Sequence, residues 1–134
     1  MSDKVRRYLT RRGSPDFIVN GGLTGLVKIW EKTARSVRKG YPLGMDDYLN
    51  DLDVRQLIAE TRPLAPPEER KKLRVRVVKA DTVFKNHSRA ARYCLWGARV
   101  ARRRGWTSRK NWWYYRLPVS PGKPLRDELA GRHA

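Results

Sequence analysis

The chain of 134 residues carries 31 Lys or Arg against 13 Asp or Glu, a formal net charge of +18, on a length that fits one domain. Only 29 residues are Leu, Ile, Val or Phe, just above the level of roughly one fifth below which a highly charged chain stays disordered. A core must therefore be small and draw on the 5 Trp and 6 Tyr. No run approaches the ~18 consecutive apolar residues of a membrane span, and nothing at the start reads as the apolar part of a signal peptide. The single cysteine, Cys94, excludes an intrachain disulfide and a multi-cysteine zinc cage. The expectation is a soluble, cytoplasmic protein of a reducing compartment.

The charge is uneven. Residues 1–40 are net +7, residues 41–69 net −5, and residues 70–116 net +15 with Asp81 as their one acid. The acidic segment can offset only part of that excess, and self-repulsion favours a polyanionic partner.

Residues 1–16 pair Arg6–Arg7 and Arg11–Arg12 around Tyr8 and Leu9 and stop at Gly13-Ser14-Pro15, which reads as a basic N-terminal arm. The composition also suits a transit peptide, though the segment is short and holds Asp3. A single helical domain is expected over 17–117. Phe17-Ile18-Val19 is a short apolar anchor, and Asn20-Gly21-Gly22 offers a turn and a helix start. Leu23, Leu26, Val27, Trp30, Ala34 and Val37 then fall on one helical stripe, ended by Gly40 and Pro42. The Gly21-Gly22-x-x-Gly25 pattern lacks the companions of a phosphate-binding loop and is discounted.

Residues 44–61 predict a second helix or two short ones, with Asp46 and Asp47 suiting its first turn. Pro63 and Pro66-Pro67 punctuate the chain and join two halves, 17–61 and 68–117. Over 70–80 two signals compete. Leu73, Val75 and Val77 alternate as in a strand, whereas Leu73, Val77, Ala80 and Phe84 recur as in a helix. The Pro-Pro-Glu-Glu start decides for helix.

Asn86 or Ser88 is expected to cap a further helix over 88–104, ended by Gly105. Its apolar face would be Ala91, Cys94, Leu95, Ala98 and Ala101. A second stripe would carry Arg92, Trp96, Arg99 and Arg103, flanked by Arg89. Residues 111–117 read as an aromatic strand, and the 118–134 tail as extended with at most one short helix near 124–130. The fold class is thus mainly α, about four helices with a C-terminal aromatic strand. Its second half has the outline of a helix-turn-helix with a wing, although winged domains place two strands after the recognition helix.

Guanidinium forks bind phosphate in two points and stack on bases. The candidate nucleic-acid contacts are therefore Arg89, Arg92, Trp96, Arg99, Arg103, Arg109, Lys110 and Trp113, with Arg6, Arg7, Arg11 and Arg12 as an accessory arm. The competing readings are a solvated charged face for the 88–104 helix and an aromatic strand buried on both sides. Asp46, Asp47, Asp51 and Asp53 are the only hard-metal candidates. They lack the glycine and spacing of a calcium loop, so capping explains them better. His87 and His133 stand 46 positions apart, and Cys94 lies on an apolar face. No catalytic residue, metal or cofactor is expected. The sequence points to non-catalytic binding of DNA or RNA. The alternative is an interaction module, such as an inhibitor, antitoxin or assembly subunit, that clamps an acidic protein.

Overall fold

A computed structural model describes residues 3–132. The chain is mainly helical, with six α-helices and one two-stranded antiparallel sheet among the described residues. The helices are α1 (Asp3–Arg11), α2 (Asp16–Lys39), α3 (Met45–Thr61), α4 (Pro67–Asn86), α5 (Ala98–Arg104) and α6 (Lys123–Arg132). The strands are β1 (Ser88–Ala90) and β2 (Arg116–Pro118), and short 3-10 turns occupy Arg62–Leu64 and Trp112–Tyr115.

Helix α2 is the hub, packing against α1, α3 and α4. Every member of its predicted stripe, from Leu23 to Val37, is buried. Trp30 at its centre is fully buried, 4.9 Å from the Phe84 ring of α4. The expected helix start at Asn20-Gly21-Gly22 is instead a kink. Helix begins earlier, at Asp16, and breaks at Gly22, whose φ of 59° and ψ of −156° lie in a region essentially confined to glycine. That backbone requirement explains the glycine without a phosphate.

The 44–61 segment is one helix, and Asp46 and Asp47 occupy its first turn, where the helix dipole favours negative charge. Over 70–80 the helical signal prevails: Leu73, Val77, Ala80 and Phe84 are buried while Val75 and Val78 face outward. Pro67 opens this helix and Glu68 and Glu69 fill its first turn.

Four expectations are corrected. The segment read as a basic arm is helical over Asp3–Arg11 and rests on the body through buried Val5 and Leu9, with the Tyr8 hydroxyl donating to Glu60. The 88–104 helix exists only as α5, seven residues ending at Gly105, which takes the left-handed conformation (φ 72°). Upstream, β1 pairs with β2 in the register Ser88↔Pro118, Arg89↔Leu117 and Ala90↔Arg116. The amides of Ala91 and Leu95 donate to the carbonyls of Tyr115 and Tyr114, at 2.7 and 2.8 Å. These tertiary hydrogen bonds take the donors a helix would need, and Gly97 at φ 102° interrupts the run.

The aromatic strand over 111–117 is likewise a 3-10 turn followed by only three strand residues. Neighbouring Trp113 and Tyr114 are both buried, which the alternation of a strand forbids and a helical turn permits. With a strand after α4 rather than a turn and a second long helix, no helix-turn-helix forms. In the tail, α6 covers the expected short helix. Buried Leu125 and the Glu128 carboxylate, which accepts the Met45 amide at 3.2 Å, dock it on α3. His133 lies outside the described residues. No helix among them is long and apolar enough to cross a membrane.

Candidate nucleic-acid interface

The site is built on α3, the one helix of the acidic segment. Its Leu52, Arg55 and Ile58 are spaced three apart, so Arg55 lies on the apolar side of the helix and is only 6% exposed. A buried cation requires a partner. Asp81 of α4 supplies it, accepting Nε and Nη2 of Arg55 at 2.9 and 3.0 Å and also the Trp30 indole N–H at 2.9 Å. The Trp113 ring lies 4.4 Å from the Arg55 guanidinium carbon on another side.

Two residues before Arg55 on α3, Asp53 accepts the Trp96 indole N–H at 3.0 Å and the Tyr114 hydroxyl at 2.6 Å. Burial raises the Asp53 carboxyl above its usual range, while these two hydrogen bonds oppose the shift. Burial and the Asp53 hydrogen bond raise the Tyr114 phenol strongly, so it stays a neutral donor. Asp53, one of the four aspartates weighed for a hard metal, is thus engaged by side chains of the fold. Asp51, in parallel, accepts the Tyr41 hydroxyl at 2.6 Å.

Residues 105–111 form a pinned turn. The Asn111 amide donates to the Thr107 carbonyl at 2.8 Å, and the Thr107 amide donates to Asn111 Oδ1 at 3.1 Å. Thr107 Oγ1 accepts the Lys110 amide at 3.2 Å. Asn111 Nδ2 donates to Gln56 of α3 at 3.0 Å, and Gln56 in turn donates to Glu60 at 2.7 Å. Arg109 and Lys110 thus stand exposed on a turn fastened to α3.

Three adjoining clefts run along this side. The first, of about 420 Å³, is lined by Arg12 just after α1, by Arg103 and Arg104 of α5, and by Trp96 and Trp106. A bridging cleft of about 310 Å³ shares Arg104 and Trp106 with the first and adds Lys110 and Glu60. The third, of about 490 Å³, shares Lys110 and adds Arg55, Arg62, Arg70 and Arg109 beside Trp112. Trp106 stacks on Tyr114 at 4.1 Å, with the Arg104 guanidinium 5.9 Å from its centre. Two carboxylates line the track, and both are engaged. Asp53 is bonded as above, and Glu60 accepts from Tyr8 and Gln56 and pairs with Arg12 at 3.4 Å.

The sequence-derived candidates divide accordingly. Arg12, Trp96, Arg103, Arg109 and Lys110 line the track. Trp96 is 37% exposed, but it shares no helix with Arg103, so the predicted Arg92–Trp96–Arg99–Arg103 stripe does not exist. Arg92 lines a further cleft, of about 450 Å³, that shares Trp106 with the first two. Arg89 is exposed on β1, and Arg7, Arg11 and Arg99 are exposed outside the track. Arg6 donates to the Asn20 carbonyl at 3.1 Å and ties α1 to α2. Trp113 is a correction: at 2% exposure it is core rather than a stacking surface.

Sequence reasoning missed Arg55, Arg62, Arg70 and Arg104. Arg55 carried a signal, a lone cation on an apolar helical stripe. Arg62 and Arg70 flank the Pro-rich punctuation, which compositional reading treats as a joint and not as a surface. In comparisons with known proteins, no family model, curated protein or solved structure matches this chain.

Proposed function

We propose that the protein binds nucleic acid without catalysis, along the three adjoining clefts, and that its preferred form is a single strand. One observation carries the reading. Cations from the turn after α1, from α3, α4 and α5 and from the 105–111 turn line one continuous track together with three partly exposed tryptophans, and both carboxylates on it are already bonded. Phosphates match the guanidinium groups, and base faces match Trp96, Trp106 and Trp112. The rings sit in clefts, reachable by unstacked bases, and α5, at seven residues, is too short to fill a major groove.

Anisotropy titrations of labelled single-stranded and duplex oligonucleotides over a range of salt test this. For about four to six phosphate contacts, the log–log slope for single strands should be about −3 to −4. Arg103→Glu with Arg104→Glu, both exposed, should weaken binding and flatten the slope while leaving the melt unchanged. No binding to either ligand at low ionic strength overturns the proposal.

The second reading, a module that clamps an acidic protein, draws on α4. There Val75 and Val78 are exposed among Lys71, Lys72, Arg74 and Lys79, an apolar strip in a basic frame. It expects nucleic-acid binding that vanishes near physiological salt, indifferent to the Arg103 and Arg104 substitutions.

A further inference from the structure

The cleft over Arg55 differs in chemistry from the rest of the track. Arg62, Arg70, Arg109 and Lys110 line it, and no acid does. Arg55 lines it too, but Asp81 matches that charge through a two-point ion pair. Four further cations therefore share one small cleft without a counter-charge of their own. At Arg62 burial, and then the charges of Arg55, Arg74 and Arg70, lower the guanidinium pKa, with Asp81 only partly opposing.

An independent observation concerns hydrogen bonding. Two buried N–H groups, Nη1 of Arg55 and Nε1 of Trp113, have no acceptor in the chain, and both residues line this cleft. Buried donors without acceptors are rare in folded proteins and call for an explanation. The Trp113 face attracts the Arg55 charge at 4.4 Å but offers its own indole N–H nothing. An anion with several oxygens answers the uncompensated charge, while the two unused donors are closed to solvent and would reach it only with a shift of their side chains.

We infer that this cleft is a seat for a terminal phosphate, a phosphomonoester dianion. A bridging phosphodiester brings one negative charge and two free oxygens. A monoester brings about −1.5 to −2 and three, the better match to four cations. The inference deepens the nucleic-acid reading by placing a phosphorylated strand end here. It rests on that reading for the strand, but not for the phosphate.

The test uses one single-stranded oligonucleotide with phosphate or hydroxyl ends, together with melts in inorganic phosphate or chloride at equal ionic strength. Arg109→Gln with Lys110→Gln removes two exposed cations of the seat. Arg38→Gln with Lys39→Gln removes the same charge from the exposed end of α2, outside the clefts. The end phosphate should tighten binding about tenfold in the wild type and the α2 variant, and less than about twofold in the Arg109/Lys110 variant. Inorganic phosphate should raise the melting temperature of the wild type but not of that variant. Equal binding of the two oligonucleotides overturns the seat and leaves the nucleic-acid reading standing. Binding to neither, with the phosphate-specific rise intact, overturns the nucleic-acid reading and keeps the seat for a small free phosphate ester. A rise that survives in the Arg109/Lys110 variant marks an adventitious ion only and overturns the seat. Absence of both effects overturns both proposals.

Discussion

Asp81 is the one acid between residues 70 and 116, and the fold places it at the junction of α2, α3 and α4. There it holds a buried arginine by two bonds and the central tryptophan by a third. Its worth follows from what its loss would leave behind. Arg55 would remain buried with its charge uncompensated, which typically costs about 3–5 kcal/mol. Asp81→Ala should therefore lower unfolding free energy by about that amount in a urea titration. The paired change Arg55→Met with Asp81→Leu removes the charge problem together with its solution. It should lose only about 1–3 kcal/mol, chiefly from the Trp30 N–H left without an acceptor. A double variant as unstable as Asp81→Ala would refute this apportioning.

The elements show how tertiary hydrogen bonding overrides local periodicity. Helix α1 is too short to be stable alone and owes its form to the face it buries. Val5, Leu9 and half-buried Tyr8 meet the body on one side while Arg7 and Arg11 stay outside. Leu9→Ala should cost about 2–5 kcal/mol, the usual loss at a filled core site, in thermal or urea unfolding. A freely moving arm would lose nothing. The 88–97 segment makes the complementary point. Cys94 and Leu95 are buried as a helical face would have them, yet the Ala91 and Leu95 amides donate to the aromatic turn, because Trp113 and Tyr114 entering the core bring the Tyr114 and Tyr115 carbonyls within reach.

At the scale of the molecule, +18 of net charge is met by four ion pairs among the described residues. The remaining cations repel one another across distances comparable to the Debye length, about 10 Å at 0.1 M salt. Raising sodium chloride from about 20 to about 300 mM should therefore raise the melting temperature by several degrees in differential scanning calorimetry. A flat or falling trend would mean that the four ion pairs, and not self-repulsion, dominate the electrostatics of stability.

Much was legible in the chain itself. The mainly helical class, the buried stripe of α2 around Trp30, the helical outcome over 70–80 and the stop at Gly105 follow from local periodicity and from the backbone chemistry of Pro and Gly, which act over a few residues. So does the concentration of unmatched cations in the second half. The tertiary structure alone decided where those cations meet. The track joins Arg12, Arg62, Arg104 and Lys110 from segments far apart in sequence, and it displaced the single-helix stripe because backbone donors in 88–97 found acceptors some twenty residues away. It also turned Trp113 inward, since two consecutive aromatics can enter one core from a helical turn but not from a strand. Local pattern specifies which face of an element is apolar. Which elements share a cleft is set by long-range packing, which no spacing along the chain encodes.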